Sequence, residues 1–307
     1  MKRLAVLFAL SLPCALYAGD LPPPVAAVPE TVDDGGPLFA SPTRKDHIGR
    51  IVAPVMINGL GPFRLVVDTG ASHTTVSPEL LAKLGLTPLP DFALMLNGVT
   101  GAEEVPAVLI DRLQAGDLVV QGSHAPVVRS SIMAGADGIL GVAGLTRERI
   151  SVDFRHDRVI IARSRANDGQ ADMLRLPAAR IAGGLLMVAA RIGGVRTRAI
   201  IDTGAERSLG NLALRDALRL RKRLAPPRST FVFGTTADIA TGDMQRVPTV
   251  WIGTATIEPV DLIFGDFHIF KVWDLERQPT VLIGMDILGT VSELIIDYRR
   301  REVYVRA

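Results

Sequence analysis

Short apolar runs separated by turn residues fill the chain from about residue 48 onward. Runs such as Ile51 to Ile57 and Phe63 to Val67 have the length of single strands. Asn97-Gly98 lies between two further runs, Phe92 to Leu96 and Val105 to Ile110, and Asn-Gly in such a setting is typical of a hairpin turn. The pattern therefore predicts a β-rich fold.

Two short stretches have the marks of helices instead. Ser77-Pro78-Glu79 predicts a helix that runs through Leu84, because proline suits the first helical position and Gly85 follows the end. A second helix is expected near Leu212 to Arg223. Helices are thus a minor part of the predicted structure.

The order of these features occurs twice. Asp68-Thr69-Gly70 ends one apolar strand, and Asp202-Thr203-Gly204 ends another 134 residues later. An apolar-apolar-Gly strand follows each motif, as Ile139-Leu140-Gly141 and as Leu282-Ile283-Gly284. The repeat predicts two β-lobes, residues 47–163 and 181–307, joined by a polar linker at 164–180.

The first 46 residues have a different character. Met1-Lys2-Arg3 and the short apolar stretch after it predict a signal peptide at residues 1–18, because the stretch is too short to span a membrane and contains Pro13. Residues 19–46, rich in proline and glycine, predict an extended tether. We therefore expect an exported protein, periplasmic or secreted.

Composition excludes several functions. The 34 basic and 32 acidic residues nearly balance, which gives no reason to expect a nucleic-acid partner. Cys14, the only cysteine, lies in the predicted signal, so the mature chain would have no disulfide and no thiol nucleophile. The five histidines lack ligand spacing, and no later apolar run is long enough for a membrane span. We expect no metal and no cofactor.

A buried strand that ends in an aspartate is costly unless the charge has partners. Asp68 and Asp202 occupy matching places in the repeat, which suggests that each carboxylate is the other's partner. Two close carboxylates share one proton over a wide pH range. The ionised member can take a proton from water while the protonated member polarises a carbonyl group, so the pair could hydrolyse an amide.

These motifs resemble the aspartic peptidases of the pepsin and retropepsin superfamily, and the short lobes resemble a fused retropepsin dimer. The resemblance implies an all-β fold of two tandem retropepsin-like (acid protease) β-barrel lobes, related by pseudo-two-fold symmetry, with the active site at the lobe junction. It covers roughly Ile48 to Ala307. A fused chain needs no second copy to complete its site, so a monomer is expected.

The resemblance also implies roles for single residues. Asp68 and Asp202 would be the catalytic pair, with Thr69, Gly70, Thr203 and Gly204 as the supporting loops. Hairpins at about Leu94 to Val105 and Phe231 to Val247 would cover the cleft as flaps. A peptide or unfolded protein would bind beneath them as an added strand. Candidate substrate contacts are the following four residues: Ala71, Ala205, Glu206 and Gly98.

Two departures from pepsin-type sequences bear on activity. Ala71 and Ala205 stand where those sequences usually have a hydroxyl that would favour the ionised carboxylate, so we expect activity at mildly acidic to neutral pH. The first flap, Leu94 to Val105, contains no tyrosine. Glu206 could contact substrate backbone or form a surface ion pair with a nearby arginine.

Other interpretations remain open for the repeated motif. Each Asp-Thr-Gly could be a turn in which the aspartate caps local amides, although that does not explain the matched flanks. Gly141 and Gly284 could be bulge glycines, and we assign them a supporting role only. An alternative function is a non-catalytic peptide-binding module that uses the same cleft.

Overall fold

The computed structural model describes residues 41–42, 50–129, 133, 135–165, 172–221 and 223–306. The predicted signal peptide and most of the predicted tether lie outside these residues. Within the described part of the chain, no helix is long and apolar enough to cross a membrane.

Strands make up most of the described structure. They are β1 Ser41–Pro42, β2 Val52–Ile57, β3 Leu60–Val67, β4 Thr75–Val76, β5 Ala93–Asn97, β6 Ala102–Ala115, β7 Leu118–Pro126, β8 Gly138–Leu140, β9 Glu148–Asp153, β10 Arg158–Arg163, β11 Leu174–Arg180, β12 Leu186–Ile192, β13 Val195–Ile201, β14 Leu209–Gly210, β15 Arg228–Phe233, β16 Ile239–Arg246, β17 Val250–Ile252, β18 Ala255–Ile257, β19 Asp261–Phe264, β20 Thr280–Ile283, β21 Glu293–Asp297 and β22 Glu302–Arg306. The helices are α1 Pro78–Leu84, α2 Leu212–Leu220, α3 His268–Val272 and α4 Met285–Leu288, with a 3₁₀ turn at Ala182–Gly184.

The N-terminal lobe is one sheet in the order β4-β8-β3-β2-β6-β5, with β7 beside β6. Strand β3 runs parallel to β8, and Val67 is opposite Leu140. Helix α1 forms as predicted: the Ser77 side chain accepts a hydrogen bond from the Leu80 amide at 3.0 Å, and Gly85 ends the helix with a φ of 65°. Its buried leucines pack into the core below the sheet.

The C-terminal lobe repeats this plan. The β12–β13 hairpin matches β2–β3, and β13 runs parallel to β20 as β3 does to β8. Helix α2 ends at Leu220, three residues before the predicted boundary. The Leu218 carbonyl accepts from the amides of both Arg221 and Arg223 at 3.1 Å, and this turn closes the helix.

The strand series β1-β10-β9-β21-β22-β11 joins the lobes and continues through β12 into the sheet of the C-terminal lobe. Strands β9 and β21 are the antiparallel centre of this series, with Asp153 opposite Glu293. The hairpins that close the two repeats therefore pair with each other. One continuous core cluster includes buried side chains from both lobes and from this series, such as Val67, Ile150, Ile201 and Ile296.

Two segments predicted as connections, a polar linker and an extended tether, contribute strands to this series. Within the linker expected at 164–180, residues Leu174–Arg180 form β11 because Leu176 faces the core in an alternating pattern. Within the tether expected at 19–46, Ser41–Pro42 pairs with β10. The segment predicted as a linker thus contains a strand in its second half, and the segment predicted as an extended tether includes a two-residue strand.

Candidate active site

Both aspartates lie just beyond parallel strand pairs. The Asp68 amide donates to the Leu140 carbonyl at 3.0 Å, and the Asp202 amide donates to the Ile283 carbonyl at the same distance. The apolar-apolar-Gly segments therefore fix where each aspartate leaves its sheet. This explains why each Asp-Thr-Gly motif is followed by such a strand in the sequence.

Thr69 and Thr203 bind the two loops to each other. Each hydroxyl accepts from the amide of the other threonine, at 3.1 and 3.2 Å. Each hydroxyl also donates to a carbonyl of the opposite lobe, Thr69 to Ile201 at 2.7 Å and Thr203 to Val67 at 2.6 Å. Both side chains are buried, so these four hydrogen bonds hold the lobes in a fixed relation at the junction.

The glycines of the motifs let each loop approach the carboxyl group of the other lobe. A Cβ atom at Gly70 would lie 2.5 Å from Cγ of Asp202, and one at Gly204 would lie 2.2 Å from Cγ of Asp68. The same glycine amides donate to their own aspartates, Gly70 to Asp68 at 2.8 Å and Gly204 to Asp202 at 2.9 Å. Only glycine fits at both places.

The two carboxyl groups are hydrogen-bonded to each other and differ in proton affinity. Burial raises the pKa of Asp202 well above its usual range, and the neighbouring Asp68 raises it further. Burial also raises the pKa of Asp68, but there a hydrogen bond from Asp202, the Gly70 amide and the charge of Arg50 all favour the ionised form. The pair therefore shares a single proton between its two carboxyl groups.

The flaps are hairpins, as the resemblance implied. The N-lobe flap is β5 with the first part of β6, and the C-lobe flap is β15 with β16. Their tips meet: the hydroxyl groups of Thr100 and Thr236 are 2.9 Å apart, and the Ala237 amide donates to Glu103 at 3.1 Å.

Glycines make this approach of the tips possible. Cβ atoms at Gly98 and Gly234 would come within 2.8 Å and 2.7 Å of the hydroxyls of Thr235 and Thr100. The tips of the two flaps are thus in direct contact with each other.

The predicted substrate contacts lie in different surroundings. Ala71 and Ala205 pack against an apolar cluster in their own lobe, beside the aspartates. Gly98 lies in the flap tip. Glu206 has an exposed side chain 3.9 Å from Nε of Arg207, which fits a surface ion pair better than a substrate contact.

Two features of the site were missed at the level of sequence. Arg50 is only 6% exposed, and its charge acts on Asp68. The sequence feature that could have indicated this role is the position of Arg50 directly before the apolar run that begins at Ile51. His268 contacts the N-lobe flap, and no pattern in the sequence relates it to that hairpin.

Comparisons with known proteins agree with this geometry. The sequence profile of a family described as aspartyl protease matches residues 53–143 and 188–287, one match in each lobe and together more than half of the chain. The fold is similar to the crystal structure of an aspartic proteinase from Irpex lacteus, with a TM-score of 0.51, 12% sequence identity, and coverage of 88% of this chain and 97% of that chain. A search among curated protein sequences found no match.

Proposed function

This chain belongs to the aspartyl protease family, and we propose that it is an exported endopeptidase that cleaves peptide bonds with Asp68 and Asp202. The observation that carries the proposal is the lobe junction, where Gly70 and Gly204 each bring one loop against the carboxyl group of the opposite lobe and burial raises the pKa of both aspartates. A pair that holds a single proton has both a base and an acid ready at the same place.

The assignment of roles follows from the electrostatics. Asp68, whose ionised form is favoured by the Gly70 amide and by Arg50, takes the proton from the attacking water. Asp202, whose protonated form is favoured, donates to the carbonyl oxygen of the scissile bond. As the C–N bond of the tetrahedral intermediate breaks, the amine nitrogen takes the proton from Asp68, and a hydroxyl of the intermediate returns a proton to Asp202 as it becomes the carboxyl product. This restores the starting pair.

A peptide substrate would lie between the carboxyl pair and the flaps. Strands bind extended peptides through main-chain hydrogen bonds, which suits a peptide or unfolded protein as substrate. Both aspartates come from one chain, so we propose that a monomer is active. Export is proposed from the basic and apolar start of the sequence.

The test is cleavage of an unfolded protein mixture, with and without a statine-type inhibitor. Asp68→Asn and Asp202→Asn should each abolish cleavage and leave the folded state intact, because asparagine has nearly the same shape but neither takes nor gives the required proton. Asp216→Asn, at an exposed position of α2, is the matched control and should cleave normally. A parent protein that binds peptides but never cleaves them would instead support the peptide-binding module.

A further inference from the structure

The tip of the N-lobe flap makes three kinds of contact with the C-terminal lobe: a main-chain hydrogen bond, a side-chain hydrogen bond and an apolar contact. The Val99 carbonyl accepts a hydrogen bond from the His268 amide at 3.0 Å. Nε2 of His268 lies 3.1 Å from Oδ1 of Asn97. The Val99 side chain packs against a buried apolar cluster of the C-terminal lobe that includes Leu209 and Val232. Main chain, polar side chain and apolar side chain all hold the same tip.

The anchor on the C-terminal side is firmly packed. His268 begins helix α3 directly after Phe267, which is 1% exposed. Phe270, one turn further on, is also 1% exposed, and its ring centre is 6.4 Å from those of Phe267 and Trp273. Three aromatic side chains therefore fix the position from which His268 reaches the flap.

The two flaps are not equivalent in this respect. Thr100 and Thr236 match at an offset of 136 residues, which makes Thr235 the counterpart of Val99. Thr235 is polar, and its hydroxyl lies against Gly98 of the opposite flap. The tip of the C-lobe flap thus contacts the N-lobe flap, whereas the tip of the N-lobe flap contacts both the C-lobe flap and the start of helix α3 in the opposite lobe.

Building on the proposed protease function, we propose that His268 is a positioning residue that latches the N-lobe flap closed over the bound substrate. The latch consists of His268, Asn97 and Val99. The latched tip also contacts the C-lobe flap, through the hydroxyl groups of Thr100 and Thr236 and the hydrogen bond from the Ala237 amide to Glu103. The latch acts on how long the substrate stays bound and leaves the chemistry of the carboxyl pair unchanged.

The first measurement is hydrogen exchange in the free protein. The His268 amide donates to the Val99 carbonyl across the latch at 3.0 Å, and the Gly98 amide donates to the Gly101 carbonyl within the tip at 2.8 Å, so exchange at both amides is followed. His268→Ala removes the side-chain bond to Asn97, so exchange at residues 97–101 should rise about two- to tenfold, the amount expected for one hydrogen bond. His268→Gln restores a donor at similar reach and should return exchange toward the parent rate.

The second measurement is kinetic. In His268→Ala, a statine-type inhibitor should dissociate faster by a similar factor, and the loss in kcat/KM should appear in KM with kcat nearly unchanged. Val99→Thr, which copies the opposite flap, should act in the same direction. His156→Ala is the control, because His156 pairs with Asp153 in an exposed turn outside the flaps.

The outcomes separate the two proposals. Unchanged exchange at residues 97–101 in both His268→Ala and Val99→Thr would overturn the latch, whatever the protein cleaves. Faster exchange in these two variants, together with a parent protein that cleaves nothing, would support the latch as a flap contact and would overturn the protease function.

Discussion

Thr69 and Thr203 make reciprocal hydrogen bonds, each donating to the residue that precedes the aspartate of the opposite lobe. The acceptors are the carbonyls of Ile201 and Val67, and both threonines are buried. The position of each carboxyl group is thereby set by a hydroxyl group from the other lobe. Precise placement of the pair and cohesion of the lobes depend on the same four hydrogen bonds.

Thr203→Val tests this cohesion. Valine has the same shape but leaves the Val67 carbonyl and the Thr69 amide without their buried partner. The free energy of unfolding should fall by about 2–4 kcal/mol, since each orphaned buried group costs about 1–3 kcal/mol. Denaturant titration measures the loss. Thr203→Ser keeps the hydroxyl and should lose far less; equal losses in the two variants would contradict the prediction.

Gly204→Ala tests the close approach of the loops. The new Cβ atom would stand 2.2 Å from Cγ of Asp68, so that carboxyl group must move away. We expect kcat/KM to fall by at least about 100-fold, because a displacement near 1 Å has this effect on a catalytic group. Peptide cleavage and circular dichroism on one sample separate lost activity from lost fold. A folded variant with more than a tenth of the parent activity would rule the steric account out.

Asp202→Asn tests the raised pKa of Asp202, because that pKa makes the free energy of unfolding depend on pH. The unfolded chain ionises Asp202 near its usual pKa of about 4, whereas burial beside Asp68 keeps it protonated to higher pH in the folded state. Over that interval the folded state binds an extra proton, so the free energy of unfolding falls as the pH rises. Asparagine removes this penalty and can still donate to Asp68.

The variant should therefore melt above the parent at pH 7, and the difference should shrink as the pH falls below about 4. Calorimetry of parent and variant at pH 7 and at a pH below about 4 measures the difference in melting temperature. A variant that is less stable than the parent at pH 7, by the same amount as at low pH, would show that the carboxyl group is not held protonated by burial.

Local sequence patterns predicted the turns, helix caps and hairpins, because these elements are determined by residues close together in the sequence. The Asp-Thr-Gly loops, helix α1 with its Ser77 cap, and the flap hairpin around Asn97-Gly98 all depend on turn and cap preferences that a few residues determine. The match of the two repeats then placed Asp68 opposite Asp202. For these elements sequence and structure agree.

The remaining features depend on contacts between distant residues. Strand β9 pairs with β10 of its own repeat along one edge, and only the packing of the whole molecule selects β21 as its partner along the other edge. Likewise, no local preference relates His268 to Asn97, which lie 171 residues apart. Arg50 acquires its effect on Asp68 only through burial in the folded chain.

The strand that holds Asp202 in place has a consequence for synthesis of the protein. Ile283 accepts the Asp202 amide, and β21 and β22 complete the sheet between the lobes. A ribosome must therefore have made the chain past Ile283 before the two acids are held together. Under the proposed function, the nascent first lobe carries Asp68 alone and lacks the second carboxyl group that hydrolysis requires.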